Sequence, residues 1–141
     1  MNIKEEIRRM CREKNAVIMA HYYTDGEIQD MADFVGDSLA LAQKAATTDA
    51  DIIVMCGVHF MGETSKILCP DKKVLVPDLE ATCSLAESCP ADKFAEFVAE
   101  HPGHTVISYV NTTAATKAVT DIVVTSSNAR EIVESLPQDT P

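Results

Sequence analysis

Hydrogen-bonding side chains follow directly after a short apolar run near the start of the chain. Residues 16–20 (AVIMA) have the composition of a buried strand, and His21, Tyr22 and Tyr23 come immediately after them. Strands usually lead into small turn-forming residues instead. Histidine and tyrosine side chains titrate and form hydrogen bonds, so their place at a strand end predicts a ligand site rather than a plain turn.

The same arrangement returns 88 residues later. Residues 105–133 align with residues 17–45 without a gap, and apolar strand falls on apolar strand. The polar positions that coincide are His21 with Tyr109, Tyr23 with Asn111, Thr24 with Thr112, Asp33 with Asp121 and Ser38 with Ser126. The alignment predicts an internal structural repeat.

Polar side chains at strand ends have a known use in α/β proteins, where ligands bind at the carboxyl ends of the strands. His21 and Tyr23 follow one such end, and Tyr109 and Asn111 follow another. Two matching sets predict one site between two domains. Taken singly, His21 could be a structural histidine and Tyr109 a core aromatic residue whose hydroxyl is satisfied.

Two serines extend this prediction. Ser38 and Ser126 lie near predicted helix starts, where a hydroxyl and free backbone amides can hold a carboxylate or a phosphate. The alternative is that each serine is only the N-cap of its helix.

Apolar runs and helical patterns alternate along the chain. The predicted strands are residues 16–20, 51–56, 73–76, 105–110 and 121–125, with residues 33–36 ambiguous. The predicted helices are an amphipathic one at the N-terminus and residues 37–46, 61–68, 91–100, 113–118 and 128–136. This alternation is typical of βαβ units, so we expect an α/β fold with parallel sheets and right-handed crossovers.

The composition argues against two classes of partner. The 141-residue chain has a net charge of −10, whereas nucleic acids and anionic membranes require clustered Lys and Arg. No apolar run approaches the roughly 18 residues of a membrane span, and the charged N-terminus lacks the apolar core of a signal peptide. We therefore expect a cytoplasmic protein with no nucleic-acid and no membrane partner. A small anion is not excluded, because helix N-termini bind anions even in acidic proteins.

The five cysteines do not form a local motif. They lie at positions 11, 56, 69, 83 and 89, without Cys-x-x-Cys spacing, and a cytoplasmic protein rarely uses a disulfide framework. Cys56, inside a predicted strand, is expected to be a small core residue. Cys69 and Cys89, each before a proline, are expected to be incidental.

The second repeat stops before its last strand. The first repeat continues into a strand at residues 51–56, whereas the matching part of the second is PQDTP, residues 137–141. We therefore expect an N-terminal fragment of a longer protein.

Four segments of the chain resemble the quinolinate synthase family, the iron–sulfur enzymes of de novo NAD synthesis. They are AHYYTDGEIQDMADFVGDSLALAQKA, DADIIVMCGVHFMGETSKIL, LVPDLEATCSLAESC and VISYVNTTAATKAVTDIVVTSSNA. The resemblance implies three-layer αβα domains with short parallel sheets, related by pseudo-threefold symmetry. Residues 1–85 would be the first domain with its N-terminal helix, residues 86–141 a truncated second domain, and the third domain would be absent, leaving the fragment inactive alone.

The resemblance also implies a reaction and a cofactor. Iminoaspartate and dihydroxyacetone phosphate would condense to quinolinate, with loss of phosphate and water, and L-aspartate oxidase would be the functionally linked enzyme. The cofactor would be a [4Fe-4S] cluster held by three cysteines, with one open iron acting as a Lewis acid. Of these three ligands, the chain would supply Cys83, in EATCSLA.

The same resemblance assigns roles to the repeated polar residues. Tyr23 and His21 would be catalytic, acting in proton transfer and carbonyl polarisation. The substrate-binding residues would be His21, Ser38, Tyr109, Asn111 and Ser126.

The residues also allow an alternative from a different class. A non-catalytic α/β module for anion binding or domain assembly would use Ser38 and Ser126 for phosphate and would need no cluster. Iron and acid-labile sulfide analysis of the full-length protein separates the two.

Overall fold

A buried central strand organises the first part of the chain. In the computed structural model, which describes residues 2–141, β1 (Ala16–His21) lies between β2 (Phe34–Gly36) and β3 (Ile52–Cys56), and β4 (Lys73–Leu75) pairs with β3. All three pairings are parallel. The last five residues of β1 are buried, which explains its unbroken apolar sequence, because a central parallel strand is covered on both faces.

Four helices accompany this sheet. They are α1 (Ile3–Glu13), α2 (Gly26–Met31), α3 (Ser38–Thr47) and α4 (His59–Leu68). Helices α1 and α2 pack on β1, and α3 and α4 pack against each other. The strands and helices belong to one compact unit that ends at Thr82. Within the described residues, no helix is long and apolar enough to cross a membrane.

A second compact unit runs from Cys83 to Pro141. Its sheet has two parallel strands, β5 (Ile107–Tyr109) and β6 (Ile122–Val124). Its helices are α5 (Ser84–Glu87), α6 (Ala91–Ala99), α7 (Ala114–Lys117) and α8 (Ala129–Ser135).

The strand register confirms the predicted repeat. In the first unit His21 pairs with Gly36, and in the second Tyr109 pairs with Val124. Each member of the second pair follows its counterpart by 88 positions. Each unit therefore contains the same strand–helix–strand–helix segment.

The equivalent aspartates confirm the repeat independently. A carboxylate oxygen of Asp33 accepts a hydrogen bond from the amide of Ile18 at 2.8 Å. A carboxylate oxygen of Asp121 accepts one from the amide of Val106, also at 2.8 Å. Each aspartate directly precedes the second strand of its segment. Its side chain therefore links the start of the second strand to the backbone of the first.

The predicted α/β class with short parallel sheets is confirmed, and the ambiguous residues 33–36 contain the strand β2. Helices α2 and α5 were not predicted. They span six and four residues, which is too short for a helical period to be recognised in the sequence.

Candidate active site

His21 is the last residue of β1, and Tyr23 turns back against it. The His21 side chain is only 6% exposed, and its ring centroid lies 3.7 Å from that of Tyr23. The Nδ1 atom of His21 accepts a hydrogen bond from the Tyr23 amide at 3.3 Å. Because Nδ1 accepts, the proton of the neutral ring lies on Nε2, which is then a donor.

The surroundings of His21 favour this neutral form. Burial lowers the pKa of His21 below its usual 6.5, and the nearby Asp37 carboxylate only partly opposes the shift. The ring is therefore uncharged at neutral pH. A neutral Nε2–H group can polarise a carbonyl without a full charge at the site.

Tyr23 is exposed, and its hydroxyl approaches a sulfur atom. Its side chain is 54% exposed, and its hydroxyl lies 3.7 Å from the Met61 sulfur. A thioether is a weak acceptor.

A cleft of about 530 Å³ opens beside Tyr23 in the first unit. Its lining is mostly apolar, including Ile18, Ile28 and Val54, and Cys56 forms part of the wall. Neither His21 nor Ser38 lines it. The expectation that Cys56 is a core residue is wrong, because the residue is only half-buried; burial nevertheless raises the pKa of its thiol.

Ser38 lies at the same sheet edge as His21, because Gly36 pairs with His21 and stands two positions before the serine. The N-cap of α3 is Asp37, whose carboxylate accepts from the Ala40 amide at 2.8 Å. The N-cap alternative for Ser38 is therefore wrong. Among the described residues, no group hydrogen-bonds its hydroxyl.

Cys83 begins the second unit, at the N-cap position of α5. The side-chain amide of Asn111 approaches its sulfur to 3.5 Å. Burial opposes ionisation of the Cys83 thiol, but hydrogen bonds from Asn111 and from the amides of Ala86 and Leu85 outweigh it, so its pKa is lowered. The site favours the thiolate, which is the form that binds metals.

Tyr109 ends β5 and Ser126 follows β6 in the second unit. Tyr109 is the last residue of β5 and is 37% exposed. Ser126 lies in the turn after β6, and the N-cap position of α8 belongs to Asn128. Ser126 is thus not the cap residue either, and within residues 2–141 no side chain or backbone group bonds its hydroxyl.

The described residues contain no group of three or more His, Cys, Asp and Glu side chains that could hold a metal ion. Cys69, expected to be incidental, is buried, and its thiol donates to the Ala45 carbonyl at 3.2 Å. Cys69 therefore takes part in packing. The partner lies 24 positions earlier, so the sequence alone gave no sign of the contact.

Two further residues, Gln29 and Lys117, hold the strand-end turns and were not predicted from the sequence. They lie in α2 and at the end of α7. Their equivalent positions in the repeat could have indicated a shared role, but glutamine and lysine are too different for an alignment to suggest it.

Comparison with known proteins gives a consistent result. Residues 5–141 match the family model described as quinolinate synthetase A protein. The quinolinate synthase of Prochlorococcus marinus (strain MIT 9313) is 61% identical over 139 residues, which are 99% of this chain and 42% of that protein. The quinolinate synthase of Thermosynechococcus vestitus is 60% identical over 141 residues, 100% of this chain and 44% of that protein.

A third relative agrees with these two. The quinolinate synthase of Synechocystis sp. (strain ATCC 27184 / PCC 6803 / Kazusa) is 62% identical over 133 residues, 94% of this chain and 42% of that protein. The chain thus spans less than half the length of the curated relatives that it matches. Because the family model covers nearly all of its residues, the chain belongs to the quinolinate synthetase A protein family.

Proposed function

We propose that the full-length protein containing this chain is a quinolinate synthase. It condenses iminoaspartate with dihydroxyacetone phosphate to give quinolinate, phosphate and water, a step of de novo NAD biosynthesis. The observation that carries this proposal is the identity of about 60% to proteins named quinolinate synthase over the whole chain. The activity is that of the full-length protein, and the fragment alone is expected to be inactive.

His21 and Tyr23 are the catalytic residues in this proposal. The neutral imidazole donates from Nε2 to a substrate carbonyl oxygen and polarises it, which its lowered pKa supports. The Tyr23 hydroxyl supplies a proton to the substrate. Its position beside His21 supports that role.

The remaining site residues bind substrate. Ser38 and Ser126 offer hydroxyl groups that no other described residue engages, and these are suited to a carboxylate or a phosphate. Tyr109 lies at the end of its strand and Asn111 follows it in the next turn, the usual place for ligand contacts in α/β units.

Cys83 fits one ligand position of a [4Fe-4S] cluster. Its thiol is half-buried, and amide groups that lower its pKa surround the sulfur. Hydrogen bonds to sulfur are typical of iron–sulfur sites. The other two thiolates would come from other parts of the full-length protein. When bound, the cluster would supply a Lewis acid.

We also propose how the domains are arranged, which enzyme supplies the substrate and where the reaction takes place. The two units would be the first two of three similar domains related by pseudo-threefold symmetry. L-aspartate oxidase would supply iminoaspartate, and the protein would act in the cytoplasm, where the five cysteines persist as thiols.

The test uses the full-length protein, purified without oxygen. Iron, acid-labile sulfide and quinolinate formation are measured in the wild type, in Cys83→Ser and in the control Cys89→Ser. We expect a cluster and turnover in the wild type and the control, and neither in Cys83→Ser. Phosphate binding without iron or turnover in the wild type would favour the non-catalytic anion-binding module.

A further inference from the structure

The turn that follows β1 is held by a side chain from α2. The Nε2 atom of Gln29 donates to the carbonyl oxygen of Tyr22 at 2.9 Å and to that of Thr24 at 2.7 Å. These carbonyls belong to the residues on either side of Tyr23. One side-chain amide therefore fixes the backbone immediately before and immediately after the proposed proton donor.

The turn that follows β5 is held in the same way. The Nζ atom of Lys117 donates to the carbonyl oxygen of Val110 at 2.8 Å and to that of Thr112 at 2.5 Å. These residues flank Asn111. The ammonium group also lies 3.2 Å from the Thr112 hydroxyl. We call the side chain of Gln29 or Lys117, together with its two carbonyl partners, a carbonyl clamp.

The two carbonyl clamps occupy equivalent places in the repeat, because Lys117 follows Gln29 by 88 positions. In each turn a threonine hydroxyl, that of Thr24 or Thr112, also donates at 2.8 Å to the carbonyl of the last strand residue. The two units thus reach one geometry with two chemically unlike side chains. What they share is a nitrogen that donates two hydrogen bonds, so that property, rather than charge or shape, defines the carbonyl clamp.

We propose that Gln29 and Lys117 are positioning residues, which act through the backbone on Tyr23 and Asn111 respectively. The inference rests on the proposed function, because it concerns the residues assigned to that reaction. Tyr23 is 54% exposed, so the backbone turn that carries it helps to set where its hydroxyl lies. A displacement of about 1 Å at such a group can cost on the order of 100-fold in rate.

The repeat supplies its own rescue variants, made in the full-length enzyme. Gln29→Glu keeps the shape of the side chain but replaces the donating amide with a carboxylate that only accepts, and Lys117→Met keeps the length without any donor. Gln29→Glu, which displaces the proposed proton donor, should lower kcat by about 10- to 100-fold and change KM by less than about threefold. Lys117→Met, which displaces the substrate-binding Asn111, should mainly raise KM. Gln29→Lys and Lys117→Gln, which install the other unit's donor, should restore most of the affected constant.

A matched control separates positioning from stability. The Nζ atom of Lys66 also donates to two carbonyls, those of Pro70 and Lys72, both at 2.7 Å. These residues precede β4, so they lie at the amino edge of the sheet, opposite the strand ends that carry His21. Lys66→Met should lower the melting temperature at least as much as Gln29→Glu and leave kcat at the wild-type value.

A spectroscopic readout tests the carbonyl clamp without relying on turnover. The full-length protein is labelled with 3-fluorotyrosine, and the fluorine resonance of Tyr23 is assigned with Tyr23→Phe. We expect this resonance to shift or broaden in Gln29→Glu, to return towards its wild-type position in Gln29→Lys, and to be unchanged in Lys66→Met. A Tyr23 resonance in Gln29→Glu identical to that of the wild type would overturn the proposal. A wild-type protein that makes no quinolinate would instead contradict the proposed function, while the fluorine spectra still decide whether Gln29 positions Tyr23.

Discussion

The hydroxyl of Tyr23 lies 3.7 Å from the sulfur of Met61, a residue of α4 that stands 38 positions later in the chain. Because Tyr23 is 54% exposed, loss of its hydroxyl should affect the chemistry far more than the fold.

Tyr23→Phe in the full-length enzyme should therefore reduce quinolinate formation by about 100- to 10,000-fold, the usual contribution of a general acid or base. The melting temperature and the iron content should stay near those of the wild type. Tyr22→Phe is the matched control, because Tyr22 is the neighbouring tyrosine and is 61% exposed. Near-normal turnover in Tyr23→Phe would show that Tyr23 has a structural role only.

His21 should make stability depend on pH on the acid side. Burial lowers the folded-state pKa of His21, while the unfolded chain protonates near pH 6.5. Between these two values the unfolded state holds more protons, so stability falls as the pH drops below about 6.5 and levels off below the folded-state pKa. Melting temperatures measured from pH 8 downwards should fall more steeply for the wild type than for His21→Gln. Parallel curves would mean that His21 does not titrate as its burial predicts.

Substitutions of the adjacent residues Ser38 and Asp37 should have different effects, one on substrate binding and the other on helix capping. Asp37→Ala removes the cap bond to Ala40 and should cost about 0.5–2 kcal/mol of stability. Ser38→Ala should leave the melting temperature nearly unchanged but weaken substrate binding by about 1.5–3 kcal/mol, the value of a hydrogen bond to a charged group. Melting curves and Michaelis constants of both variants decide the matter, and a stable Ser38→Ala enzyme with normal KM would remove Ser38 from the site.

Gly62 should resist a substitution that ordinarily stabilises a helix. A Cβ atom at this position of α4 would lie 2.3 Å from a methyl carbon of Val76, and the β-branched valine has little freedom to move away. Gly62→Ala should therefore destabilise the protein by about 1–3 kcal/mol, although glycine to alanine inside a helix normally gains up to about 1 kcal/mol. Gly26→Ala is the control, because a Cβ at Gly26 meets nothing within 4 Å. Equal melting temperatures for the two variants would contradict the predicted clash.

Much of the fold was determined by the sequence itself. The apolar run that became β1 has too few polar positions for a half-exposed strand, and burial on both faces follows from that pattern alone. The repeat could also be recognised in the sequence, because the unusual polar residues that follow the first strand are matched by polar residues at one fixed offset along the chain. These properties are local or periodic, so they leave a trace in the order of residue types.

The tertiary structure decided which side chains meet. Asn111 reaches the sulfur of Cys83 across 28 positions, and the Cys69 thiol finds the Ala45 carbonyl across 24. The spacing of apolar residues along a helix or strand indicates which face a residue occupies. Which residue it contacts there depends on the path that the intervening helices and loops take through space. Gln29 also escaped prediction, because its helix α2 spans only six residues, too few for a helical pattern of apolar residues to show in the sequence.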